Sequence, residues 1–66
     1  MKLRDYTEVE LDKCRELCNF TEEELQYFEL KAKDKSNVYI ARHMNVSASQ
    51  VSKFSKRVRD KIKRVL

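Results

Sequence analysis

Between Ser47 and Arg59 the chain sets out Ser47, Ser49, Gln50, Ser52, Lys53, Lys56, Arg57 and Arg59, a run of hydrogen-bonding and cationic side chains. On a helix stepped at about 100° per residue, with Val51 at the centre of the inward side, Ser49, Lys53, Lys56 and Asp60 point outward. Ser52 and Arg57 flank them, and Ser47 and Gln50 stand at the leading end. Such a face suits recognition of a duplex. Lys and Arg pair with guanine edges, Gln with adenine, and Ser with either. Arg also takes phosphate oxygens in pairs. Ser36, Asn37 and Arg42 lie just upstream and are the expected phosphate contacts, with Arg57 and Arg59.

Catalysis needs a different arrangement, with converging carboxylates or a nucleophile beside a base. Here the acids are spread along outer faces, and Asp60 is the one acid after residue 34. The expectation is therefore no enzyme, no cofactor and no small-molecule substrate. Cys14 and Cys18 stand four apart and share a helix face with Leu11, as a pair of core thiols would. A disulfide within one helical turn would be strained. A zinc site needs about four ligands, and two Cys with the lone His43 fall short, so no metal is expected.

The elements that must position the face are written with their own start signals. The chain has 66 residues with no Gly and no Pro, which favours helices joined by short polar turns. Thr7-x-x-Glu10, Thr21-x-x-Glu24 and Ser47-x-x-Gln50 each read as a capping box, and Ser36 as a further cap. Four helices follow, over about 8–18, 22–33, 37–44 and 48–64. The expected inward positions are Leu11, Cys14, Leu17 and Cys18; then Leu25, Phe28 and Ala32, with Leu30 alongside; then Ile40, Ala41 and Met44. The last helix carries one stripe of Val51, Phe54, Val58, Ile62 and Val65. Asn19 suits the first helix end, and Asn45 the tight turn that calls for a left-handed residue. Tyr39 is placed partly between helices and His43 on the surface. Residues 1–6 are expected to pack loosely through Leu3 and Tyr6. The fold class is all-α, one four-helix domain over 1–66 with a helix-turn-helix. Residues 1–19 add an N-terminal helix to a core over 20–66.

Charge divides along the same line. Residues 1–34 hold six Lys/Arg against ten Asp/Glu, a net of −4. Residues 35–66 hold nine against one, a net of +8. A basic half that coincides with a helix-turn-helix pattern points to double-stranded DNA. Arg59, Lys61, Lys63 and Arg64 run past the reading end. They either add phosphate contacts or form a solvated face balanced by the acids of the first two helices. The longest apolar run is four residues, Val38 to Ala41, so no membrane span or signal-peptide core is expected, and the cytoplasm is the expected location.

The stretch from Phe20-Thr-Glu-Glu-Glu-Leu through Ile40-Ala41, Val46-Ser47 and Val51 to Lys61-Ile62 resembles two related groups. One is sigma-factor region 4; the other is the DNA-binding domain of LuxR/GerE-type regulators. Both pair a Thr-Glu-rich helix start with Ile-Ala-x-x-x-x-Val-Ser, a following Val and a basic tail. The likeness covers residues 20–62, and its core spacing also occurs in other helix-turn-helix families. Asn45 departs from the Gly usual at the turn. The helix before Phe20 suits the four-helix layout of sigma region 4. LuxR/GerE domains instead carry a pairing helix after the reader, for which this chain ends too soon. The resemblance implies that the fourth helix reads the major groove through residues 47–57. It also implies a small regulator of a kind found in bacterial mobile elements and prophages.

Two readings stand at this point. One is a sequence-specific regulator of transcription, working as a homodimer or with a partner because one small module offers few contacts. Its pairing surface would be Val65 and Leu66 with Leu3 and Tyr6. The other is a protein-interaction module that docks on RNA polymerase or another regulator through its acidic first helices.

Overall fold

The computed structural model describes residues 3–66, apart from the side chain of Arg4. A short 3₁₀ turn over Leu3–Asp5 leads into four α-helices: α1 (Glu8–Leu17), α2 (Glu22–Ala32), α3 (Asn37–Met44) and α4 (Ala48–Val65). There is no strand among the described residues, and no helix is long and apolar enough to cross a membrane. Each expected boundary is met within one residue.

The caps show why the helices begin where they do. Thr7 Oγ1 accepts from the Glu10 N–H at 3.2 Å, and the Thr7 N–H donates to Glu10 Oε1 at 2.9 Å. Thr21 and Glu24 repeat the exchange at 3.2 and 3.0 Å. Ser36 and Ser47 accept from Tyr39 and Gln50 N–H groups at 3.1 and 3.2 Å. The Ser47 box is only half made, because Gln50 does not bond back to the Ser47 N–H. A neutral amide accepts more weakly than the carboxylates that close the other two boxes.

Among the described residues three hold left-handed backbone, each ending a helix: Asn19 (φ 52°), Asp34 (φ 63°) and Asn45 (φ 56°). Only Asn and Asp occupy this region at modest cost when Gly is absent. Asn45→Ala is expected to lower stability by about 1 kcal/mol and Tm by roughly 4–8 °C in a thermal melt. Asn45→Gly is expected to leave Tm nearly unchanged. Relief of the left-handed strain is there offset by a floppier unfolded chain.

α4 is the spine. An 18-residue helix is about 27 Å long, close to the molecule's longest dimension of 29 Å. It packs on α1, α2 and α3, and its stripe Val51, Phe54, Val58 and Ile62 is buried. Val65 is half-buried. Ile40, Leu11, Cys14, Cys18, Tyr27 and Phe28 complete the core, with Met44 and Val46 packed at its edge. Both thiols are free and buried. Burial pushes Cys14 up, and burial together with Cys14 pushes Cys18 up to about 11, so both stay protonated at neutral pH.

Several inward assignments are corrected. Leu17 is 58% exposed, because it lies about 90° around α1 from the Leu11–Cys14–Cys18 side. The buried face of α2 is Glu24, Tyr27 and Phe28, about a quarter turn from the expected Leu25–Phe28–Ala32 stripe. Leu25 is exposed, and Ala32 and Leu30 are half-buried. The turn is set by polar partners. Tyr27 is fully buried because its hydroxyl donates to Asn37 Oδ1 at 3.3 Å. Glu24 is buried because it meets Lys61. Tyr39 is exposed, its ring stacked on His43 at 5.8 Å with the Lys35 ammonium 5.0 Å above it. Leu3 is buried in the core and packs toward α2, so it belongs to no pairing surface; Tyr6 is half-buried.

Candidate nucleic-acid interface

α3 and α4 are joined by Asn45, Val46 and Ser47, the tight turn of a helix-turn-helix. The Asn45 N–H bonds to Ala41 and Arg42 carbonyls, and the Val46 N–H bonds to the Ala41 carbonyl at 3.0 Å. Val46 then turns inward, which fixes where α4 starts relative to α3. The outward side of α4 carries Ser49, Ser52, Lys53, Lys56, Arg57 and Arg59, all exposed. Asp60 is exposed among them. Ser47 is exposed with its oxygen engaged in the cap, and Gln50 is half-buried beside it.

On α3, Arg42 is exposed. Ser36 Oγ is engaged by the Tyr39 N–H, and Asn37 Oδ1 by the Tyr27 hydroxyl. Asn37 therefore has a structural task that its position at the helix start does not reveal. Tyr27 is held protonated well above neutrality by burial, against the lowering influence of Ser55 and the Arg59 charge. The phenol ties α2 to the start of α3, behind the expected phosphate contacts.

Asp12, Glu24 and Glu29 are paired away from this face. Arg15 donates through Nε to Glu29 Oε2 at 2.9 Å and through Nη2 to Glu29 Oε1 at 2.8 Å. It also bonds Asp12, and its guanidinium lies 5.7 Å from the Phe28 ring centre. Lys61 bonds Glu24 and the Asn19 carbonyl, the latter at 3.1 Å, with the Phe20 ring 6.0 Å away. Burial raises the Glu24 carboxyl, but Lys61, the Thr21 N–H and the Arg57 charge outweigh it and hold the group below the usual carboxylate range. Of the basic tail, Lys61 is thus bound to an acid of α2. Among the described residues, Arg42, Lys53, Lys56, Arg57, Arg59, Lys63 and Arg64 form no ion pair. That face keeps its positive charge.

Among the described residues no group of three His, Cys, Asp or Glu side chains is arranged to hold a metal ion. The residues that sequence reasoning passed over are Tyr27, Glu24 and Lys61 as anchors. Glu24 carried one signal, the capping box, but its pairing with a lysine 37 positions away has none.

The comparisons agree with this geometry. Residues 18–64 match the family model for bacterial regulatory proteins of the luxR family, known as GerE. No curated protein and no solved structure gives a match. The family match falls on α2, α3 and α4, the helices that build and present the basic face, and on residues 18–21, which connect α1 to α2. The chain belongs to the luxR family of bacterial regulatory proteins, and its helix-turn-helix is a DNA-binding domain of a transcriptional regulator.

Proposed function

We propose that the chain recognises specific duplex sequences by laying α4 in the major groove. A groove about 12 Å wide admits one helix. Ser47, Ser49, Gln50, Ser52, Lys53 and Lys56 meet base edges in this reading. Ser36, Asn37, Arg42, Arg57 and Arg59 meet the backbone on either side. The free N–H groups at the start of α3 add to the phosphate contacts. The observation that carries the reading is the exposed cationic side of α4, whose Lys53, Lys56, Arg57 and Arg59 form no ion pair among the described residues, while Asp12, Glu29 and Glu24 are taken up by Arg15 and Lys61. One module of this size gives few base contacts, so two copies on adjacent half-sites, or one copy beside RNA polymerase, supply the affinity.

Binding of labelled duplex measured by fluorescence anisotropy across salt tests the reading. Three arginines at phosphates predict a log–log salt slope of about −3 for each bound copy. Failure to bind any duplex at low salt would remove the proposal. It would favour the reading in which the exposed acids of α1 and α2 dock on another protein.

A further inference from the structure

The start of α4 carries a feature that hydrogen-bonding readout leaves unused. A cleft of about 380 Å³ lies between α3 and α4, lined by Val38, Ala41, Ala48 and Val51 together with the polar Asn37, Arg42 and Ser52. Its lining is mainly apolar. Val38 is 66% exposed, which leaves its methyl groups open to a partner. Ala48 is exposed at the first position of α4, one residue before Ser49 and one turn before Ser52. Ser52 both stands on the reading face and lines the cleft, so the two surfaces are continuous.

We infer that this cleft reads the 5-methyl group of thymine, with Val38 and Ala48 as the contacting side chains. The inference rests on the DNA reading above and adds to it a base class and two residues. The argument is one of matching chemistry. The major-groove edge of a duplex offers one apolar group, the thymine methyl. An apolar wall at the leading end of the reading helix meets base edges there. Arg42 in the lining supplies a positive charge where the adjoining phosphate passes. Ser52 accepts or donates to the neighbouring base, so polar and apolar readout are adjacent on one surface.

The test uses duplexes selected by the whole chain from a random pool. Each thymine of the selected site is then replaced by uracil, which lacks the methyl but keeps the same pairing edge and the O4 acceptor. Uracil at one or two positions at an end of the site is expected to weaken binding about fourfold, the effect of one buried methyl. In Val38→Ser and Ala48→Ser the thymine-to-uracil ratio at those positions is expected to fall to about one. Both residues are exposed, and circular dichroism checks that the variants fold. Tight binding of the thymine duplex with no uracil penalty overturns the methyl reading and leaves the DNA reading intact. So does a penalty that persists in both variants, or a selected site without thymine. Binding of no duplex at all overturns the DNA reading itself.

Discussion

Lys61→Ala is expected to be among the most damaging single changes in the chain, lowering stability by about 2–4 kcal/mol and Tm by roughly 10–25 °C. The reason lies in what is left behind. The Glu24 side chain is 3% exposed, and Lys61 is its one ionic partner among the described residues. Removing the ammonium strands a carboxylate in the core and also frees the Asn19 carbonyl. Breaking a buried pair costs about 3–5 kcal/mol. The lower figure applies because Lys61 is itself about a quarter exposed and water screens part of the interaction. Glu24→Gln should cost less, because the amide still caps Thr21 and the ammonium can turn to solvent. A thermal melt that ranks Glu24→Gln below Lys61→Ala would contradict this account.

The same pair predicts a pH signature. The Glu24 carboxyl is held below its ordinary range, so the native state favours the ionised form. Its contribution is fully present above the unfolded pKa of about 4.3 and is lost as pH falls through the lower folded value. The stability difference between the native chain and Glu24→Gln is therefore expected to shrink as the solution is acidified below about pH 4. Urea titrations at several pH values read it directly. A difference that stays constant would assign the effect to packing.

Lys53→Ala is expected to weaken binding to the selected duplex by about 1–3 kcal/mol, roughly 5- to 150-fold, with little loss on unrelated DNA. Lys53 lies on the outward face of α4 and makes no ion pair among the described residues, so Tm should not move. Anisotropy on both duplexes, beside a thermal melt, separates the outcomes. An equal loss on both would make Lys53 a phosphate contact. A fall in Tm would make it part of the fold.

The helices were legible because their signals are local. Thr7, Thr21, Ser36 and Ser47 sit where caps must sit, and the α4 stripe repeats at helical spacing. The outward face of α4 followed from the same stripe by geometry alone. What could not be read was long-range pairing of polar groups. Apolar counting placed Leu25 and Leu17 inside and left Glu24 and Tyr27 unplaced. The structure does the reverse, because Lys61 and Asn37 satisfy those two groups from other helices. A lysine in a basic tail carries no mark that separates an anchor from a free charge. Lys61 and Lys63 differ only in the side of α4 they occupy.

α4 divides its labour between two flanks of one rod. Val51, Phe54, Val58 and Ile62 face inward and hold the molecule together. Ser49, Ser52, Lys53 and Lys56 contribute nothing to the interior. In the proposed reading, point changes at those four exposed sites would exchange one operator for another while leaving the buried stripe of α4 untouched.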